Sequence, residues 1–332
     1  MKNPLIPMGA ITTSMTKAQI KEMMTAYKEA GIEQYLFYAR GGCDVEFMSD
    51  EWLDICENIV NEAEALGIDI WLYDEYDCPS GTCHGKLFEK HPEYKAATIH
   101  IENGKYEIFH GEGYLPMVDV TNPDAVDEFI KMTYEKLYAR LGDRFGSVIK
   151  GVFSDEPSFC FNPSKPCRTY PYSDGIENEY KEKFGGDLFD GLISDNADCL
   201  ENYFSLIGEK FRKSYIEKIA SWCAEHGVVS TGHLLEEQNM KNAVLSNGNV
   251  IRDLRAFGMP GMDEIRTEIG DGTEWITLGS IQAARKGING ALTELFALGP
   301  CDMPVARLLQ MIDLTALFGV DHYVLAVSAA DA

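Results

Sequence analysis

The sequence predicts an α/β fold, a (β/α)8 TIM barrel forming one domain over residues 1–332. Three observations carry this. Eight short apolar runs alternate with seven longer amphipathic ones along the chain. Strands that alternate with helices pair in parallel, and eight such units close into a barrel. The first strand-to-helix turn, "MGAITTSM", lacks the G-x-G-x-x-G of an open dinucleotide-binding sheet.

The elements follow in order. "PLIPMGAI" is the first strand. From Thr16, "TKAQIKEMMTAYKEAGI" sets Ile20, Met23, Met24 and Tyr27 at helical spacing, and Gly31 stops it. "QYLFYA" is the second strand. Ser49 or Asp50 caps "EWLDICENIVNEAEALG", which ends at Gly67, and "IDIWLYDE" is the third strand. "PDAVDEFIKMTYEKLYARLG" has proline near its start and glycine at its end, as helices prefer. "VIKGVFSDE" is the fourth strand. The long helix "LENYFSLIGEKFRKSYIEKIASWCAEHG" leads to "VVSTGHL", the fifth. "NVIRDLRAFG" and "WITLGSIQAARKG" flank the sixth strand, "PGMDEI". "GALTELF" is the seventh, "MPVARLLQMIDLTALFG" a helix, and "DHYVLAV" the eighth strand. "SAADA" follows at once, so the eighth helix is expected to be missing, with further domains or a subunit covering that open side.

Two connections are too long to be simple turns, residues 75–122 and 156–199, and both leave C-terminal strand ends. The first contains "ATIHIENGKYEIF", where Asn103-Gly104 between alternating residues predicts a β-hairpin.

Lys and Arg total 29 against 53 Asp and Glu, a net charge of −24. That field repels nucleic acid and anionic membranes and suits a neutral ligand such as a sugar. No stretch approaches the roughly 18 apolar residues of a membrane span, and "MKNPLIPMGAITTSM" has no signal-peptide core. Nine cysteines cannot all pair within the chain, so reduced thiols and a cytoplasmic location are expected. Cys78 with Cys83, and Cys160 with Cys167, are spaced too widely for a zinc knuckle.

Barrel active sites lie at the C-terminal strand ends. Strand two brings Tyr38 and Arg40 there, strand three Asp74 and Glu75, and strand four Asp155 and Glu156. Strand five brings His233, Glu236 and Glu237, strand six Asp263 and Glu264, strand seven Glu294, and strand eight His322 and Ser328. Acids from five strands at one rim repel each other, which points to function. Two carboxylates can act as acid and base, or acid and nucleophile, on a glycosidic bond. Others can accept hydrogen bonds from sugar hydroxyls or hold a hard cation.

Glu156 ends an apolar strand beside another carboxylate, with Pro157 fixing the turn. A glutamate so placed can keep its proton at neutral pH. Glu294 sits between apolar residues in "ALTELF", where an acid has few structural uses. Arg40, Asp74, Glu75, Asp155, His233, Glu236 and Glu264 are the expected substrate contacts. Glu236, Glu237 and Glu264 stay open between site and scaffold. Loop aromatics Tyr76, Phe159, Phe161, Tyr170 and Tyr172 could stack on sugar rings or pack the loops.

"LGIDIWLYDEYDCPSGTCHGKLFEKHPEY", "GVFSDEPSF", "STGHLLEE" and "PGMDEI" come in an order that resembles the barrel of glycoside hydrolase family 106, the α-L-rhamnosidases and their relatives. The resemblance implies a glycosidase acting on an α-L-rhamnoside or related sugar, inverting and calcium-assisted, in chains carrying further β-rich domains. Glu156 is then the acid, and the base is Glu264, Glu236 or Glu294. More distantly, the layout is similar to clan A glycosidases, which implies Glu156 as acid/base and Glu294 as nucleophile, with Asp155 standing where that clan has asparagine. Two rival readings remain: a non-catalytic carbohydrate-binding or scaffold barrel, and a metal-dependent lyase, isomerase or aldolase.

Overall fold

The structure, a computed structural model, describes residues 2–11, 13–111, 117–159, 168–264, 274–285, 290–297, 299 and 302–326. The chain opens with β1 (Leu5–Ile11), α1 (Lys17–Glu29), β2 (Gln34–Ala39), α2 (Asp50–Leu66) and β3 (Asp69–Tyr73). A first insertion carries α3 (Lys86–Lys90), β4 (Ala97–Glu102) and β5 (Lys105–His110). Then come α4 (Pro123–Met132), α5 (Tyr134–Leu141) and β6 (Ile149–Asp155). A second insertion holds β7 (Arg168–Tyr172), α6 (Ile176–Phe184) and α7 (Leu188–Ile193). The remainder is α8 (Ala197–Phe211), a π-helical turn (Arg212–Ile216), α9 (Glu217–Glu225), β8 (Val229–His233), α10 (Met240–Asn247), α11 (Val250–Leu254), β9 (Gly261–Glu264), α12 (Glu274–Ala284), β10 (Leu292–Leu295), α13 (Val305–Leu317) and β11 (His322–Leu325).

Eight parallel strands form one sheet in the order β8-β6-β3-β2-β1-β11-β10-β9. The two end strands meet and nearly close it: the Met259 N–H donates to the Ser230 carbonyl at 2.9 Å. This is a (β/α)8-type barrel. Glycine is needed at the closing seam and where β8 pairs with β6. A Cβ on Gly261 would lie 2.2 Å from the Gly232 carbonyl, and one on Gly232 (φ +140°) would lie 1.9 Å from the Ser154 carbonyl.

Strand side chains alternate between faces. Ile6, Met8, Leu36, Tyr38, Trp71, Tyr73, Phe153, Met259, Leu292 and Val324 fill the barrel interior. The opposite faces pack against the helices in a larger core. The helix starts are set locally. Ser49, not Asp50, caps α2, its side chain accepting from the Trp52 N–H, and Thr16 caps α1 in a capping box.

Three expectations on helices need correction. The helix expected over residues 123–142 breaks at Thr133, whose hydroxyl donates to the Phe129 carbonyl at 2.8 Å. The one expected over residues 200–227 starts earlier, at Ala197, where Asn196 caps it, and carries the π turn before α9. The stretch read as a loop, 156–199, contains α6 and α7.

The two insertions form one unit. The β4–β5 hairpin turns at Asn103 and Gly104, both at positive φ, and β7 from the second insertion pairs antiparallel with β4. The eighth-helix expectation and Ser328 fall beyond residue 326, outside the described residues. No helix among the described residues is long and apolar enough to cross a membrane. Cys43, Cys56, Cys78, Cys83, Cys199 and Cys223 are free thiols, while Cys160, Cys167 and Cys301 lie outside the described residues.

Candidate active site

Four neighbouring strands deliver the site. Register sets Asp155 on β6 beside His233 on β8, and Asp263 on β9 beside Glu294 on β10. Cα partners on parallel strands share a face, and Phe153 and Leu292 already mark that face as interior. Asp155, His233, Asp263 and Glu294 therefore form the polar layer above the apolar barrel core, all four largely buried.

His233 is the hub. Its Nε2 lies 2.9 Å from Glu294 Oε2 and 3.3 Å from Asp155 Oδ1. The Tyr73 hydroxyl donates to the other Asp155 oxygen at 2.5 Å. The Tyr73 ring stacks on Phe153, which meets the imidazole edge-on. Glu156 lies one residue past β6 at φ +48°, a backbone setting that non-glycine residues adopt at a cost of about 1–2 kcal/mol. One of its carboxylate oxygens lies within 4.8 Å of donor atoms of both His233 and Asp263.

The electrostatics separate these groups. Burial, then the Asp155 charge, pushes the Glu156 carboxyl up to about 8. Burial alone would drive the His233 imidazole neutral. Asp155, Asp263 and Glu294 overcome that and hold it well above the ordinary histidine value. Glu294 is raised by its burial, with the His233 hydrogen bond working against the rise.

Not every expected contact reaches this cluster. Asp74 and Glu75, expected as substrate contacts, do not join it. Tyr73 points into the barrel, so Asp74 points out of it, where it accepts from Ser80 Oγ at 2.6 Å and Tyr134 Oη at 2.7 Å. Burial raises Asp74 to about 7 despite those bonds. Glu75 accepts backbone N–H groups from Tyr76, Gly81, Thr82, Cys83 and His84 at 2.6–3.2 Å, and so ties down the loop after β3. Arg40 is exposed, and its Nη1 donates to Tyr38 Oη at 2.7 Å. Glu236 accepts from Asn242 Nδ2 at 3.1 Å, away from the hub. Glu237 accepts from the Leu234 and Asp263 N–H groups, linking the β8 loop to β9 across the seam, and burial raises it to about 7. The backbone of Glu264 belongs to β9, but its side chain lies outside the described part of the structure.

His322 begins β11, so it sits at the opposite end of the barrel, edge-on to Trp71. Tyr76, Phe159 and Tyr170 are buried in loop packing, while Phe161 lies outside the described residues. Reading the sequence for exposed rim acids underrated Asp263, Tyr73 and Gln238, whose Nε2 donates to Asp263 Oδ2 at 3.1 Å. Alternation along β9 and β3 was the available sign for the first two.

Two trios of donor atoms fall within 4.8 Å of one another: Asp155, His233 and Glu294, and Glu156, His233 and Asp263. Both depend on the His233 nitrogen. Calcium takes six to eight oxygen ligands. Among the described residues no trio of Asp and Glu carboxylates alone comes so close, and each trio here includes the His233 nitrogen.

No protein-family model matches the chain, and no curated protein matches it. Solved structures do. The chain is similar to a rhamnosidase from Novosphingobium sp. PP1Y, with TM-score 0.67 and 9% identity, covering 98% of this chain and 55% of that one. It thus spans about half the length of that rhamnosidase. It is also similar to the PgaB (BpsB) glycoside hydrolase domain from Bordetella bronchiseptica, with TM-score 0.59 and 10% identity, covering 98% of this chain and 94% of that one. At these identities the likeness establishes a shared barrel fold.

Proposed function

We propose that this chain is a glycoside hydrolase that works through Glu156 and Glu294, with an α-L-rhamnoside or related sugar as its substrate class. One observation carries the reading. Glu156 is a half-buried carboxyl pushed up to about 8, in a barrel mouth that also presents a second glutamate hydrogen-bonded to His233. The fold shared with a rhamnosidase and a glycoside hydrolase domain supports it.

Glu156 gives its proton to the glycosidic oxygen as the bond from that oxygen to the anomeric carbon breaks, and the electron pair leaves with the aglycone as an alcohol. The hydrogen bond from His233 favours the ionised form of Glu294. Glu294 then has two routes. It can take a proton from a water whose oxygen bonds the anomeric carbon, with inversion. It can instead bond that carbon itself, forming a glycosyl ester that water, deprotonated by Glu156, displaces with retention. Carboxyl separations of about 5–5.5 Å favour retention, and about 6.5–9.5 Å inversion.

The test is a series of 4-nitrophenyl glycosides, α-L-rhamnoside first, with the anomer of the first-formed sugar read by proton NMR. Release of nitrophenol supports the reading. Binding without release across the series overturns it and leaves a carbohydrate-binding barrel.

A further inference from the structure

We infer that His233 is the site's built-in cation: a permanently charged imidazolium that clamps Asp155 and Glu294 together. The inference deepens the glycosidase reading and rests on it for what the two clamped acids are for.

The geometry is that of a fork. A single nitrogen, Nε2, reaches one oxygen of Glu294 at 2.9 Å and one of Asp155 at 3.3 Å. Two carboxylates brought so close in a buried setting repel unless a positive charge lies between them. The imidazole is 2% exposed and cannot borrow that charge from solvent counter-ions. Acids face it from every element packed around it: Asp155 on β6, Glu156 just beyond, Asp263 on β9, Glu294 on β10 and Glu237 in the loop after β8. Tyr73 on β3 takes the second Asp155 oxygen, so that carboxylate is bound on both sides.

A metal at the same place would compete with this arrangement. It would need Nε2 stripped of its proton and both carboxylates redirected, and the close trios offer calcium a nitrogen where it takes oxygens. The imidazolium supplies one positive charge without a metal. It leaves Glu156, at about 8, as the acid of the cluster that holds a transferable proton at neutral pH. His233 is thus a positioning residue. It orients and charges the acids without touching the scissile bond.

The experiment is NMR on the full chain labelled with nitrogen-15 at its seven histidines. Glu294→Gln and Asp155→Asn serve to assign the His233 signals and loosen the clamp, and His233→Gln checks the assignment if it folds. An imidazolium signature that persists from pH 6 to pH 9, unmoved by chelator or by millimolar Ca²⁺ or Zn²⁺, supports the inference. So does an ordinary titration appearing in the double variant. Titration of His233 near 6.5 in the unaltered protein overturns it. So does a Ca²⁺ or Zn²⁺ addition that shifts these signals and raises Tm. None of these readouts needs turnover, so a chain that cleaves no glycoside sinks the glycosidase reading and leaves this result to stand or fall alone.

Discussion

The Nε2 of His233 lies 2.9 Å from Glu294 Oε2, joining the fifth barrel strand to the seventh across the seam where the sheet fails to pair. That contact draws the β10 acid toward the β6 acids. It also sets the pH behaviour of the mouth.

Turnover is expected to fall as pH rises through about 8, because Glu156 must carry its proton to act as the acid. A pH series of kcat on the substrate found by screening checks this. A plateau extending past pH 9.5 would speak against Glu156.

Stability is expected to fall over the same direction of pH. Asp74 and Glu237 sit at about 7 and Glu156 at about 8 in the folded chain, all above their unfolded values of about 4. Between pH 5 and pH 8 the folded state therefore holds protons that the unfolded state releases, and stability drops as pH rises. His233, raised in the fold, acts with the same sign: its contribution is complete below about 6.5 and is lost as pH climbs through its folded value. Calorimetry should give a Tm several degrees lower at pH 8.5 than at pH 5.5; an unchanged or higher Tm contradicts the buried-acid picture.

Glu75→Ala is expected to cost about 3 kcal/mol or more, since five backbone N–H groups lose a charged acceptor in a buried loop. Urea unfolding measures it. A loss below about 1 kcal/mol would mean that the loop stands without its glutamate.

Gly232→Ala puts a methyl 1.9 Å from the Ser154 carbonyl, beside the hub. Backbone on both sides cannot yield cheaply, so a loss of about 4 kcal/mol or failure to fold is expected, visible as soluble yield and urea midpoint. A variant as stable as the parent would show that the β6–β8 pairing tolerates a methyl at Gly232.

Much of this was legible in the sequence, for identifiable reasons. The eight strands announced themselves because parallel barrel strands are apolar on both faces, as "QYLFYA" and "GVFSD" are. The convergence of Asp155, Glu156, His233 and Glu294 followed from strand ends alone. What stayed hidden was the direction of each side chain. Asp74 and Glu75 look like rim acids in one dimension, but Tyr73 owns the interior position and sends Asp74 the other way. On β9 the register partner of Glu294 is Asp263. The pairing of β7 with β4 could not be read either, because it joins segments about 70 residues apart whose only common cue is β-propensity.

The most direct test is Glu156→Gln, which keeps the shape of the side chain and removes its proton. With wild type and variant compared on the same glycoside, kcat should fall by about 10²–10⁴-fold while Kd for the substrate hardly moves. The loss should be smaller for an aryl leaving group that departs without protonation. A folded variant that turns over at the wild-type rate would contradict the assignment of Glu156 as the acid.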